Sequence, residues 1–220
     1  MLAGMGSELT DLGHRWQGGR PWFLFAHGAG AGSSSTWMRR YAALLETIAP
    51  VITFDYLYIR QGRKRPDTLS SLIACHTHAL EEGREKFGAR PVLIGKSMGG
   101  RVGCHVALVQ PVEAVICLGY PLLGQGQLKK RRDQVLLDLT SPALFVQGTR
   151  DKLCPIPELR QVLAARSARS ELHIVESGDH SLTPTKGYLK ENGLNDASVE
   201  QMTLAVIERF LKSLEAPSAN

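Results

Sequence analysis

Short apolar runs recur along the chain, and each is followed by glycine or polar residues. Within a run the hydrophobic residues do not alternate with polar ones, which is typical of strands that are buried on both faces of a sheet. We predict six such strands, at residues 21–26, 51–56, 90–94, 114–118, 143–146 and 171–175.

Segments with apolar residues at helical spacing lie between these runs. We predict helices over 36–49, 67–87, 101–109, 157–168 and 197–214, with one short helix inside 123–141 and loops elsewhere. Asp67 is expected to cap the second helix and Gly88 to end it. Strands that alternate with helices indicate a three-layer α/β/α sandwich around a mainly parallel sheet of about six strands.

Residues 1–20 lack both patterns and contain five glycines, so we predict a loosely ordered lead-in there. Residues 21–220 are predicted to form a single domain, long enough to bury a good core. The first residues lack the apolar segment of a signal peptide, and no apolar run reaches membrane-spanning length. We therefore expect a cytoplasmic protein with no membrane association.

The charge balance is mildly basic, with 26 Lys and Arg against 21 Asp and Glu. A net charge of +5 over a whole domain does not predict a nucleic-acid partner. The four cysteines (Cys75, Cys104, Cys117 and Cys154) have no metal-ligand spacing, and we expect reduced thiols. We predict neither a metal nor a cofactor, and no feature indicates an oligomeric state.

The sequence Gly95-Lys96-Ser97-Met98-Gly99 follows an apolar run and opens a helical pattern. Strand, Gly-x-Ser-x-Gly and helix in this order are typical of a nucleophile elbow, in which a tight turn exposes the serine and requires small flanking residues. The motif is short enough to occur by chance. Its interpretation therefore depends on the partners that a nucleophilic serine needs.

Those partners are a base that takes the hydroxyl proton and an acid that orients the base. Asp151 and His180 both follow predicted strands, and in a parallel sheet such strand ends share one edge. The order Ser97, Asp151, His180 is the order of an α/β-hydrolase triad. Asp151 could instead cap a turn and His180 could be a solvated loop residue. Asp179 is a rival acid, but its place next to the histidine suits it poorly to holding that ring.

A tetrahedral oxyanion needs two backbone donors. We predict the Met98 amide, directly after the serine, and the Ala29 amide in the turn after the first strand, with Gly28 as the alternative. His27 is expected to brace this turn by hydrogen bonding.

The same turn supports a competing interpretation. Gly28-x-Gly30 after a strand, with Asp55 at the end of the next strand, imitates a dinucleotide fingerprint. Ser33 occupies the position of the third glycine, and nucleotide binding would leave Ser97 and its partners unexplained.

Over residues 21–214 the chain resembles the α/β-hydrolases, and more narrowly the small dienelactone-hydrolase-related group with testis-expressed and chromatin-complex members. The residues that carry this resemblance are 26–30, 95–101, 119–122, 147–151 and 179–181. It implies an α/β-hydrolase fold with Ser97 as nucleophile, Asp151 as acid and His180 as base. Dienelactone hydrolase itself has cysteine at the elbow, so the serine argues against that particular substrate. The short segment between Tyr120 and Pro142 leaves no room for a large lid.

Basic residues at 60–65 and 129–132 leave predicted strand ends on the side of the serine. They could form a solvated rim, or they could attract an acidic substrate or partner. Lys96, Tyr120 and Arg60 are the candidate rim residues. We expect hydrolysis of a small-molecule ester or thioester through an acyl-enzyme. The alternatives are acyl transfer to another acceptor and a scaffold whose triad is unused.

Overall fold

Six parallel strands form the sheet that the apolar runs predict. The computed structural model describes residues 21–124 and 131–215. Within them the strand order is β2-β1-β3-β4-β5-β6, and every neighbouring pair is parallel. The predicted sheet is confirmed, and it is entirely parallel in the described part. The strands are β1 (Trp22–Ala26), β2 (Val51–Phe54), β3 (Pro91–Lys96), β4 (Ala114–Leu118), β5 (Ala143–Gly148) and β6 (Ser170–Val175).

The helices differ from the predicted ones in their number and in one cap. Two short helices, α2 (Leu57–Arg60) and α7 (Lys186–Glu191), occupy segments predicted as loops, because one or two turns hold too few residues to show a helical period. The third helix is capped by Thr68, whose hydroxyl accepts from the Ser71 amide, and not by Asp67, which accepts from the Tyr58 amide instead. The described helices are α1 (Thr36–Leu45), α2 (Leu57–Arg60), α3 (Leu69–Phe87), α4 (Met98–Ala107), α5 (Gln134–Asp138), α6 (Ile156–Ala164), α7 (Lys186–Glu191) and α8 (Asp196–Glu215).

Both faces of the sheet are covered, which is why its strands are apolar throughout. On β1, Leu24 belongs to the core cluster that also contains buried residues of α3, α4, α5 and α6, whereas Phe23 and Phe25 belong to the cluster with those of α1 and α8. This is the predicted three-layer sandwich.

The connections create a crevice at the carboxyl edge of the sheet. From β1 the chain runs to β2 on one side, and it then crosses back to β3 on the other side of β1. The loops after β1 and β3 therefore diverge, and such a switch point is where open parallel sheets bind ligands. Between β4 and β5 the described residues contain the short helix α5 and no large lid. The predicted lead-in at 1–20, and the Lys129 and Lys130 part of the basic segment, lie outside the described residues.

Candidate active site

Ser97 occupies a tight turn between β3 and α4. Its backbone has φ 50° and ψ −112°, a conformation that non-glycine residues rarely adopt. The flanking glycines leave no space for a side chain, because a Cβ on Gly95 would collide with the Gly100 amide and one on Gly99 with the Ala26 carbonyl. The strand, turn and helix that the elbow motif requires are all present.

The structure brings Ser97, His180 and Asp151 together in one hydrogen-bonded chain. His180 Nε2 lies 2.7 Å from Ser97 Oγ, and His180 Nδ1 lies 2.7 Å from Asp151 Oδ2. An ionised carboxylate can only accept hydrogen bonds, so Nδ1 donates to Asp151 and Nε2 accepts from the Ser97 hydroxyl. This is the tautomer that a histidine base needs in order to remove a serine proton.

The end of β4 supports the loop that carries His180. Gly119 follows this strand with φ +69°, and a Cβ added there would lie 2.6 Å from the His180 carbonyl oxygen. Glycine adopts this conformation without steric cost and allows the loop to approach closely. The position of the histidine therefore depends on a residue of a neighbouring strand end.

Asp151 is held by more than its histidine. The Gln147 side-chain amide donates to Asp151 Oδ2 at 2.5 Å, and the Leu153 amide donates to Oδ1 at 2.8 Å. Gln147 is itself fixed by the Tyr120 amide, which donates to its side-chain carbonyl at 2.9 Å. Sequence reasoning missed Gln147, although an amide side chain at the end of a buried strand is the kind of residue that needs a partner.

Asp179, the alternative acid, stabilises the turn after His180 and does not bind the histidine ring. Its Oδ1 accepts hydrogen bonds from the amides of Ser181 at 2.7 Å and Thr183 at 3.1 Å. This carboxylate caps the turn after His180, and the ring of His180 bonds to Asp151 instead.

His27 braces the loop after β1. Its Nδ1 donates to the Gly28 carbonyl at 2.7 Å, and its Nε2 accepts from the Tyr56 amide at 3.2 Å. Burial lowers the pKa of His27, which keeps the ring neutral. Both ring nitrogens form hydrogen bonds within this part of the fold, so the His27 ring stabilises the loop after β1. Asp55 assists, because its Oδ1 accepts from the Ser33 amide at 2.6 Å.

This braced loop passes close to the serine. A Cβ added to Gly28 would lie 3.5 Å from Ser97 Cβ, and Ala29 lines the same cavity as Ser97 and Met98. Met98 is the first residue of α4, where amides have no acceptor within the helix. The two segments predicted to supply oxyanion donors therefore meet beside Ser97.

The sequence of residues 19–212 matches the family model for the alpha/beta hydrolase domain. The match spans most of the chain. The chain belongs to the α/β-hydrolase family.

Solved structures share the fold of this α/β-hydrolase. An α/β serine hydrolase homologue from Coxiella burnetii is 17% identical, with 89% of this chain and 88% of that chain covered and a TM-score of 0.67. Est1E from Butyrivibrio proteoclasticus is 14% identical over 90% of each chain, with a TM-score of 0.64. Dienelactone hydrolase from Anabaena variabilis is 22% identical over 86% of this chain and 85% of that chain, with a TM-score of 0.63.

The three candidate rim residues of this α/β-hydrolase do not line the cavity beside Ser97. Lys96 turns toward the histidine loop, where its Nζ donates to Ser181 Oγ at 3.1 Å and to the His180 carbonyl at 3.4 Å. Its ammonium lies 4.3 Å from the centre of the Trp37 ring, and burial lowers the pKa of Lys96 to about 8. Lys96 therefore supports the loop that carries the histidine.

Tyr120 and Arg60 also differ from their predicted places. Tyr120 is fully buried, and its hydroxyl donates to the Arg132 carbonyl at 2.7 Å, so it packs beneath the site and offers no rim surface. Arg60 ends α2, and its guanidinium is 3.7 Å from Cys75 Sγ, outside the cavity lining. Polar and apolar residues do not alternate along a strand that is buried on both faces. The sequence therefore could not predict the direction in which Tyr120 points.

A cavity of about 320 Å³ opens beside Ser97. Besides the serine and the two oxyanion segments, its wall contains Arg101 and Arg132. Neither was predicted individually, although Arg132 belongs to the basic segment 129–132. Arg101 stands four residues after the serine in a predicted helix, a spacing that could have identified it.

Two further observations bound the possible chemistry. In the ranges that the structure describes, no three histidine, cysteine or carboxylate side chains are grouped so as to hold a metal ion. None of the helices described is long and apolar enough to cross a membrane.

Proposed function

We propose that this chain is a serine hydrolase that cleaves a carboxylic ester or thioester through an acyl-enzyme on Ser97. The observation that carries the proposal is the continuous chain from the Ser97 hydroxyl through His180 to Asp151, with 2.7 Å at each step. Three loops converge to form it, and each residue has the hydrogen-bonding state that its role requires.

The geometry supports a two-stage reaction. His180 Nε2 takes the Ser97 proton as Oγ bonds to the substrate carbonyl carbon, and the amides of Met98 and Ala29 hold the resulting oxyanion. The carbonyl re-forms, the bond to the leaving oxygen or sulfur breaks, and His180 gives its proton to the leaving group. Water then attacks the acyl-enzyme with His180 as base, and the acid and free Ser97 are released.

The family match and the structural neighbours support a hydrolase. The family shows the fold, and folds of this kind host many activities, so the site has to carry the functional argument. A closer relation to the dienelactone-hydrolase group belongs to the same proposal, since its structural representative is 22% identical. The serine at position 97 favours ordinary esters over the dienelactone itself. A cytoplasmic location likewise remains a proposal.

Fluorophosphonate labelling with turnover of 4-nitrophenyl acetate tests the proposal. We expect the wild type to be labelled and active, and Ser97→Ala to lose the label and about 10⁴-fold or more in kcat, because no other group replaces the nucleophile. Ser70→Ala is the matched control, since it removes an exposed hydroxyl of α3 outside the site and should keep the label.

The outcomes separate the alternatives. An unlabelled, inactive wild type would overturn the proposal and favour a scaffold. A label that persists in Ser97→Ala would place the nucleophile elsewhere. Faster release of 4-nitrophenol on adding a small alcohol, with the acylated alcohol as product, would identify acyl transfer as the main reaction.

A further inference from the structure

Two positively charged side chains in the wall of the Ser97 cavity lack anionic partners. Arg101 and Arg132 line this space together with Ser97, Met98 and Ala29. Across residues 21–124 and 131–215 neither guanidinium forms an ion pair, although other arginines of the same structure do.

Arg101 is positioned to reach a substrate bound at the serine. It stands one helical turn after Ser97, and its amide donates to the Ser97 carbonyl at 3.1 Å. Arg101 and Ser97 line the same cavity, so a ligand in that cavity can contact both side chains.

The surroundings of Arg101 do not satisfy its charge. Its Nε is buried and has no hydrogen-bond partner within the described residues. Burial and the nearby charge of Arg132 both lower the pKa of Arg101. Taking a cation out of water without a partner is costly, and an arginine in this state is a ready site for an anion.

Arg132 completes the pair from the loop before α5. Among the described residues its guanidinium donates one long hydrogen bond, from Nη1 to the Pro121 carbonyl at 3.4 Å. Its neighbour Arg131 points elsewhere and is neutralised by Asp133 at 2.7 Å and Glu158 at 2.8 Å. The lack of an ion pair therefore belongs to the arginine that faces the cavity.

The acidic residue of the same wall does not serve these arginines. Asp67 Oδ1 pairs with Arg63 at 2.6 Å, and Asp67 Oδ2 accepts from the Tyr58 amide at 3.1 Å. Both of its oxygens are occupied, so it leaves Arg101 and Arg132 available to a ligand.

We propose that Arg101 and Arg132 bind a carboxylate of the substrate, so that the preferred substrates are small esters or thioesters that carry a free acid group. The proposal rests on the proposed hydrolase activity. A planar guanidinium fits a carboxylate through two parallel hydrogen bonds, and two of them create a site that a neutral ester cannot use. The cavity volume, near 320 Å³, fits a short substrate.

Matched substrates test the proposal directly. On the acyl side, mono-4-nitrophenyl adipate is compared with 4-nitrophenyl hexanoate, and on the alcohol side, 4-acetoxybenzoate with its methyl ester. We expect kcat/KM to favour the acid by about tenfold to a hundredfold in at least one pair, the usual effect of hydrogen bonds to a charged group. Equal values in both pairs would overturn the proposal.

Single substitutions locate the effect. Arg101→Met and Arg132→Met should each remove most of the acid preference, measured as the ratio of kcat/KM for the acid to kcat/KM for its neutral counterpart, and Arg101→Lys should keep part of it. Arg131→Met is the control and should keep the preference. A preference lost equally in Arg131→Met would indicate general surface attraction and overturn the assignment, and if one arginine variant fails to fold, the other decides.

A binding measurement separates this proposal from the proposed function. Calorimetric titration of Ser97→Ala with monomethyl adipate, and with dimethyl adipate as control, needs no turnover. Binding of the acid alone, weakened at least tenfold in the double variant Ser97→Ala/Arg132→Met, supports the carboxylate site even if no ester is hydrolysed. Ester turnover by the wild type without this binding would support the proposed hydrolase activity and contradict the proposed carboxylate site.

Discussion

Each end of the sheet holds an arginine, buried at one end and partly buried at the other, and the partners of the two guanidinium groups differ. At the amino end, Arg166 Nη2 donates to the carbonyls of Leu139 and Ser141, both at 2.9 Å, and its Nη1 donates to Ser170 Oγ. At the carboxyl end, Arg101 lines an open cavity, and its guanidinium has no comparable acceptors among the described residues. The Nε of each arginine is buried without a hydrogen-bond partner in those residues, so the difference lies in the other guanidinium nitrogens. Burial lowers the pKa of both groups.

The difference shows how a buried charge reveals its purpose. Arg166 ties the segment before β5 to the start of β6, and carbonyls of the fold supply its partners. The Nε of Arg101 is buried, and none of the described residues supplies an acceptor for it. We infer that the amino end is arranged for stability and the carboxyl end for a ligand.

The largest expected effect is at the amino end. Arg166→Met should lower the free energy of unfolding by about 3 kcal/mol, because two buried carbonyls lose their donor. Urea denaturation measures it, with Arg39→Met as control, because Arg39 is exposed on α1 and its substitution is expected to change stability by less than about 1 kcal/mol. If the two variants lost equal stability, the hydrogen bonds of Arg166 between the segment before β5 and the start of β6 would not stabilise the fold as proposed.

A smaller effect is expected from a buried base near the carboxyl end. His76 contacts the Tyr56 hydroxyl at 3.1 Å, and burial lowers its pKa to about 3. The unfolded chain, with a histidine pKa near 6.5, takes up this proton first as the pH falls, so acid favours unfolding. Between pH 6.5 and pH 5 we expect a loss of about 2 kcal/mol from this group.

Urea denaturation at both pH values measures this loss. His76→Gln should remove the component, whereas His78→Gln, at an exposed position of the same helix, should retain it. An unchanged pH dependence in His76→Gln would show that His76 is protonated in the fold. Protonated His76 would then be a second cation without a partner near the carboxyl end, besides Arg101. The difference between Arg101 and Arg166 would need another explanation in that case.

The smallest expected effect decides the comparison. Arg101→Met should leave the free energy of unfolding within about 1 kcal/mol of the wild type or raise it, because it removes a partly buried charge that has no partner among the described residues. The same urea denaturation serves as the measurement. A loss as large as that of Arg166→Met would show that Arg101 is a structural residue like its counterpart.

The fold could be predicted because its strands are buried on both faces. Such strands give continuous apolar runs, and six of them separated by helical patterns leave few arrangements open. The short helices α2 and α7 were missed because they lack a measurable period. The cap of α3 was assigned to Asp67, but the adjacent Thr68 has the geometry to reach the Ser71 amide.

The candidate site was partly accessible from sequence. Because parallel strands end at one edge, Ser97, Asp151 and His180 could be expected to meet, and the structure brings them together. The residues that line the rim of the site could not be predicted in the same way. A side chain at the end of a buried strand can point up into the site, as a candidate rim residue must, or down beneath it, as Tyr120 does.

The glycine at the end of β4 gives a practical criterion for telling enzymes from scaffolds among chains with this arrangement. Gly119 does not line the cavity beside Ser97, yet a methyl group there would displace the His180 loop. A chain could thus keep serine, histidine and aspartate unaltered in sequence and still lose the contact between base and nucleophile. For proteins built in this way, the residue at this strand end is as informative about activity as the triad itself.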